Sequence, residues 1–355
     1  MQICLFINNG YPTQANPNHS TYAETIADCI AKSGCGIELL VVKFNKKISA
    51  LYKLLKYLAF WFKLFWKNLN KYDIIYVNHA PFAYPLFWNP TFRKNLQKVF
   101  VHWHGDDAVV KTSFLRYSRR IVKKATRECI QIVPSNYYKT ILIDELGFQP
   151  DKIAVSPSGG VDVKMFKALT NKVGDTIKIG FASGMSDGKG ADLIMALIDK
   201  AETIEKIINK SVSFKIIDYG SDISKYHTRL SDNKHVELIP PMLKSKMPDF
   251  YSNIDLLLMS SQRKSESLGL VVLEAMSCGK PVVSFKRFAF PEFVIPGISG
   301  EMVDYSENFN NNVEGFMDAL MKIYNNYSTY NPREIVKNRY SKEYVIEQYK
   351  KIFGC

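Results

Sequence analysis

The sequence predicts two doubly wound α/β domains, each a parallel sheet covered on both faces by helices. Three observations carry that expectation. At 355 residues the chain exceeds the size at which one hydrophobic core usually keeps growing. Short runs that are apolar along their whole length recur through it, as strands buried on both faces do. Helix-period patterns separate those runs, and an apolar content of 46% with 13% aromatics is ample for two cores.

In chain order, ICLFIN (3–8) reads as a buried strand, followed by a polar loop and the helix TYAETIADCIAKSG, which ends at Gly34. IELLVV (37–42), DIIYVN (73–78), KVFVHW (98–103) and CIQIVPS (129–135) read as the further strands of a first domain, 1–165. The stretch 157–176 carries glycines and a proline with little periodicity and is expected to connect the domains. IKIGFAS (177–183), FKIIDYG (214–220), HVELIP (235–240), IDLLLMSS (254–261) and PVVSF (281–285) repeat the rhythm in a second domain, 174–335. The closing stretch 341–353 reads as an amphipathic helix.

Lys and Arg outnumber Asp and Glu by 47 to 34, a formal charge of +13. Such an excess attracts nucleic acid, anionic membrane or phosphorylated small molecules. Six cysteines (Cys4, Cys29, Cys35, Cys129, Cys278, Cys355) are scattered without C-x-x-C or histidines at metal spacing, so no metal site and a reducing cytoplasm are expected. The first residues lack a basic segment and a long apolar core, and read as a strand rather than a signal peptide. No stretch approaches the roughly 20 apolar residues that span a bilayer.

The charge concentrates in KFNKKISALYKLLKYLAFWFKLFWKNLNK (43–71), within an acid-free interval from Glu38 to Asp73. At helical spacing Lys53, Lys56, Lys63 and Lys67 share a face, while Leu51, Leu54, Leu55, Leu58, Phe62, Phe65, Trp66 and Leu69 form a wide apolar surface. Lysines over a Trp/Phe/Leu face suit a helix lying among lipid headgroups, with Trp61, Phe62, Phe65 and Trp66 as anchors. The plainer reading is a core helix with a solvated lysine side. No motif accompanies the charge that would suit nucleic acid.

The chemistry concentrates in SESLGLVVLEAMSCGKPVVSF (265–285). LVVLEAMSC reads as a helix that Gly279 can cap and Pro281 stops. The Ser-Leu-Gly turn before it offers free N–H groups, and Gly269 permits close approach of a phosphate. Glu274 is suited to accept two ribose hydroxyls, and Glu266 to reach a sugar beyond the phosphates.

This stretch resembles the signature of the family 4 retaining glycosyltransferases, whose GT-B fold has two Rossmann-like domains facing each other across a cleft. The segments 132–166, 179–197 and 247–261 resemble further family motifs in the same order, and in the family a C-terminal helix, here 341–353, returns to the first domain. The resemblance implies that Lys189 neutralises the donor diphosphate and that Glu274 holds the ribose. It implies that Glu266, with the N–H groups of Leu268, Gly269 and Leu270, addresses the sugar and distal phosphate. It also implies that His104 of VHWHGDD is the active-site histidine and that Met242, beside Pro241, borders the base. Three positions depart from the family. Its Gly-Arg pair falls on Ser183-Gly184, leaving Arg263 or Lys264 as candidate substitutes for the arginine. Its N-terminal Gly-Gly loop falls on Pro17-Asn18, and its Gly-Ile-Pro-Glu segment appears as the bulkier 288–292.

A nucleoside diphosphate leaving a sugar needs cations and N–H donors set in place beforehand. No D-x-D motif indicates a metal, and no cofactor is expected. The expected function is retaining transfer from a nucleotide sugar, most simply UDP-linked, to a lipid-linked saccharide acceptor in capsule, O-antigen or lipopolysaccharide synthesis. The expected place is peripheral, on the inner face of the cell membrane against an anionic surface. Rivals are a sugar-nucleotide epimerase on the same fold and a non-catalytic membrane-bound scaffold.

Overall fold

The computed structural model describes residues 1–17, 19–44, 49–109, 113–168 and 174–354. Asn18, Lys46, Lys47, Cys355 and part of the expected connection, 169–173, lie outside the described residues.

The chain forms two compact units, Met1–Gly160 with Lys342–Cys355, and Val161–Ser341. In the first, the strands are β1 (Ile3–Tyr11), β2 (Gly36–Lys43), β3 (Ile74–Asn78), β4 (Val99–His102), β5 (Ile130–Val133) and β6 (Ile153–Val155). They make one sheet in the order β2-β1-β3-β4-β5-β6, parallel throughout. The second unit holds β7 (Thr176–Phe181), β8 (Ser211–Ile217), β9 (Val236–Ile239), β10 (Leu256–Met259), β11 (Val282–Phe285) and β12 (Gly300–Val303). Its order, β12-β11-β10-β7-β8-β9, is again wholly parallel. The α/β expectation holds; β6 and β12 are strands the sequence reading did not include.

Central strands such as β3 and β10 are buried along their whole length, which is why they read as unbroken apolar runs. On one face of the first sheet Phe6, Tyr76 and Phe100 meet the helix Lys342–Phe353, which buries Val345, Tyr349 and Phe353 at i, i+4 and i+8. Phe353 packs edge-on against Phe100 at 4.9 Å, and Lys342 pairs with Asp28 at 2.5 Å.

On the other face lies the basic, aromatic helix Ala50–Trp66. It buries Phe60 and Leu64 against the core, with Tyr57 and Trp61 half-buried beside them. Leu51, Leu54, Leu55, Leu58, Phe62 and Trp66 run along its outward side; Phe62 is 67% and Trp66 64% exposed. The helix therefore has two apolar faces. Two of the expected docking residues are engaged within the unit instead. The Trp61 indole N–H donates to the Phe82 carbonyl at 2.9 Å, and Lys67 pairs with Glu38 at 2.5 Å. Glu38 also receives Lys71, and hydrogen bonds from Lys67 first, then Tyr72 and Lys71, hold its carboxyl down at about 2. Among the described residues no helix is long and apolar enough to cross a membrane.

Tyr349→Ala removes a fully buried ring from this core and should cost about 3–5 kcal/mol in denaturant unfolding, whereas Tyr349→Phe should cost about 1 kcal/mol. Equal losses for both variants would contradict the packing role.

Candidate functional site

In the second sheet β7 has β10 on one side and β8 on the other, so the strand order reverses between β7 and β10. A crevice opens at such a point, at the C-terminal ends of the strands. The helix Ala191–Asp199 follows β7 and the helix Leu270–Ser277 follows β10. Gly190 (φ +73°) and Gly269 (φ +63°) stand immediately before them in the left-handed region that favours glycine. A Cβ on Gly190 would lie 2.4 Å from the Ser260 carbonyl oxygen. The Ala191 N–H donates to the Ser186 carbonyl at 3.2 Å and the Val272 N–H to that of Gly269 at 2.9 Å, and the first turn of each helix carries the positive end of the dipole, an arrangement that suits anions.

The two loops are joined by a charge pair. Lys189, in the turn Asp187–Lys189, reaches Glu266 Oε2 at 2.5 Å, and the Ser261 hydroxyl donates to the same oxygen at 3.0 Å. The Ser260 hydroxyl donates to the Lys189 carbonyl at 2.8 Å, and Gln262 N–H to the Gly188 carbonyl at 3.1 Å. Glu274, in the second helix, is almost wholly buried; its Oε2 accepts from the Tyr251 hydroxyl at 3.1 Å and its Oε1 lies 3.9 Å from Lys244 Nζ. Burial raises its pKa above the ordinary value, opposed by Lys244 and the Tyr251 hydrogen bond. Of the other expected residues, Leu268 and Gly269 are buried, and Leu270 and Met242 are half-buried.

Arg263 and Lys264 are exposed, and the Arg263 stem crosses the Lys189 turn, its Cγ 3.0 Å from where a Cβ on Gly188 would stand. Tyr219 was not anticipated. Its hydroxyl donates to the Ala182 carbonyl at 2.8 Å, and its pKa is raised by burial first and then by Glu274 and Glu266. A Cβ on Gly184 would meet its ring at 3.1 Å, so Tyr219 fills the space beside the missing arginine position.

In the first unit His104 follows the C-terminal end of β4. Its backbone N–H and that of Gly105 donate to the Asp107 carboxylate, fixing the loop. The ring Nε2 bonds Asn78 Oδ1, Asn78 donates to Asn8 Oδ1 at 3.0 Å, and Asn8 donates to the Gly10 carbonyl at 2.5 Å. A carbonyl can only accept, so the chain of donors runs one way and His104 carries its proton on Nε2. Nδ1 is left with the lone pair. The Tyr22 ring lies 4.9 Å from the His104 ring, and burial with His102 and His79 nearby holds its pKa well below 6.5. His102 is the packed histidine of the two: fully buried, its ring 3.9 Å from that of His104 and tilted 38° to it, and bonded through Nδ1 to Tyr76, which meets Tyr349 at 2.9 Å.

Asn8 and Asn78 were missed in the sequence, yet each ends the apolar run of its parallel strand with a buried amide, Asn8 within β1 and Asn78 at the end of β3, a signal that could have been read. Burial holds the His102 imidazole down at about 3. Below pH 6.5 the unfolded chain takes up a proton there that the folded chain refuses. Stability is thus fully present above about pH 6.5 and falls with acid, by up to about 1.4 kcal/mol per pH unit for His102. The urea midpoint should drop between pH 7 and pH 5, and His102→Gln should flatten that slope; an unchanged slope would contradict it.

Residues 20–164 match the family model for Glycosyltransferase Family 4, and residues 164–344 match that for Glycosyl transferases group 1. Over 300 residues the chain is 26% identical to a 41.2 kDa protein in the cps region of Klebsiella pneumoniae, covering 80% of this chain and 79% of that one. It is 25% identical over 265 residues to a glycosyltransferase of Methanocaldococcus jannaschii, covering 73% and 68%. Among solved structures, Anabaena HepE in complex with UDP and glucose aligns over the whole of both chains with a TM-score of 0.69 at 19% identity. Sucrose-phosphate synthase from Thermosynechococcus elongatus aligns with a TM-score of 0.73 at 14% identity, covering 100% of this chain and 98% of that one. The chain belongs to the glycosyl transferases of group 1, with a Family 4 first half, and has the GT-B fold.

Proposed function

We propose that the chain is a retaining, metal-independent glycosyltransferase that moves a hexose or N-acetylhexosamine from a UDP-sugar to a lipid-linked saccharide in surface-polysaccharide synthesis. The observation that carries the reading is the Lys189–Glu266 pair, set between two helix N-termini with the buried carboxylate of Glu274 nearby. The diphosphate sits on the N–H groups of Leu268, Gly269 and Leu270, Lys189 neutralises it, and Glu274 accepts the ribose hydroxyls. Glu266 addresses the sugar. Arg263, lying across the Lys189 turn, supplies the second cation more readily than Lys264. Met242 borders the base.

In the reaction the bond from the anomeric carbon to the phosphate oxygen breaks and the nucleoside diphosphate leaves with the electron pair. The acceptor hydroxyl attacks the same face and its proton passes to the departing phosphate oxygen. His104, neutral and with its Nδ1 lone pair presented, orients a sugar hydroxyl. Negative charge grows on the diphosphate as it leaves, so preplaced cations and N–H groups stabilise the transition state more than the ground state. The UDP complexes of HepE and the cps-region relative support the donor and the polysaccharide setting.

The outward stripe of the helix Ala50–Trp66 lies on the inner, anionic face of the cell membrane, with Lys53, Lys56 and Lys63 near the headgroups and Phe62, Phe65 and Trp66 inserted. Lysine stems reach past an apolar stripe to place their charge in the headgroup layer.

Glu274→Ala and Lys189→Ala should each lower turnover of a UDP-sugar by about 10²–10³-fold. Wild-type turnover in both would overturn the site. Phe62→Glu with Trp66→Glu should move the protein from the vesicle fraction to the supernatant while leaving its unfolding midpoint within about 0.5 kcal/mol of wild type. Unchanged co-sedimentation would contradict the docking.

A further inference from the structure

A cavity of about 580 Å³ lies in the first unit among the 3₁₀ segments Ala80–Trp88 and Phe92–Lys98 and the helix Ser113–Ala125. It is remote from His104 along the sheet. Phe92–Lys98 leads into the N-terminal end of β4 and Glu128 precedes that of β5, whereas His104 follows the C-terminal end of β4. The reaction chemistry does not use it.

Its lining divides by chemistry. Phe87, Phe92, Leu96 and Ile121 give it an apolar floor. Arg93, Lys124 and Arg127 stand exposed around it, and none of the three makes an ion pair among the described residues, although the Glu128 carboxylate lines the same cavity. Three cations against one acid leave a surplus that an anion would neutralise. Two of the three are arginines, whose planar forks match phosphate oxygens. An apolar floor beneath phosphate-matching cations suits an amphiphile rather than a free ion. The volume is within the range of small-molecule sites.

Ring contacts also link the cavity to the helix Ala50–Trp66, at Trp61 beside its core-facing side. Trp88, at the cavity and 53% exposed, packs edge-on against Tyr84 at 5.4 Å. Tyr84 packs in the same way against Trp61 of that helix at 5.3 Å. Amphipathic aromatic rings of this kind favour the boundary between headgroups and acyl chains.

We propose that this cavity is a headgroup site for an anionic phospholipid. Arg93, Lys124 and Arg127 grip the phosphodiester, the first acyl carbons rest on Phe87 and Phe92, and Trp88 lies at the boundary. The proposal rests on the reading that the Ala50–Trp66 stripe lies on an anionic leaflet, and adds to it a specific grip on one lipid phosphate.

The test is co-sedimentation of the full chain with vesicles of phosphatidylcholine alone and with added phosphatidylglycerol. Three proteins are compared: wild type, Arg93→Gln with Arg127→Gln, and Lys206→Gln with Lys322→Gln, which makes the same charge change on the second unit. The cavity variant should lose roughly tenfold or more in affinity for phosphatidylglycerol vesicles while keeping the weak phosphatidylcholine binding of the stripe. The control should stay within about twofold of wild type. Equal losses in both variants would overturn the headgroup site and leave the docking reading standing. A wild type that binds neither vesicle would overturn both.

Discussion

The Lys189–Glu266 pair is the constraint on which the second unit's candidate site depends. It ties the loop after β7 to the loop after β10, the two strands between which the sheet order reverses. Half-hidden from water, the pair keeps only part of its Coulomb attraction as net stability, because both charges lose hydration. Its larger effect is geometric: Lys189 is held at the start of one helix and Glu266 just before the start of another, each helix presenting the positive end of its dipole. The pair is also neutral as a whole. Under the proposed function a nucleoside diphosphate draws Lys189 away from Glu266 or recruits a second cation from the chain, and the Arg263 stem lies across the same turn. With Tyr219 filling the space beside Gly184, an arginine could not simply be restored there without moving that ring.

In the first unit the ordering device is a one-way hydrogen-bond chain rather than a charge. The Gly10 carbonyl sets Asn8, Asn8 sets Asn78, and Asn78 sets the His104 tautomer. Beneath it His102 is locked to Tyr76 and, through it, to Tyr349 of the helix that closes the chain. Both histidines are kept neutral by burial, so the unit presents His104 as a lone-pair acceptor over the physiological range.

The parallel α/β architecture was legible because the inner strands, β3, β4, β10 and β11 above all, are buried and so apolar along their length, and the half-buried edge strands β2 and β9 still carry runs of Leu, Val and Ile. β6 escaped because IAV is only three residues long, and β12 because GEMV opens on Gly300 and Glu301, so neither shows an apolar run of strand length. Glu266 and Glu274 were visible as a pair of carboxylates about a helix, yet their partners were not. Lys189 and Tyr251 come from distant sequence, and local spacing carries no record of such contacts. The basic helix shows the same limit. Its period fixed which residues share a face but not which of two apolar faces meets the core, and Glu38, twenty-nine positions before Lys67, neutralises a lysine that periodicity alone assigned to the outside.

The central claim is that Lys189, at the meeting of two helix N-termini, recognises the diphosphate of a nucleotide donor. Calorimetric titration of UDP and UMP into wild type and Lys189→Ala tests it most directly. The account predicts that wild type binds UDP about tenfold or more tightly than UMP, and that the alanine variant brings the two within about threefold while leaving UMP unchanged. An undiminished preference for UDP in the variant would contradict it.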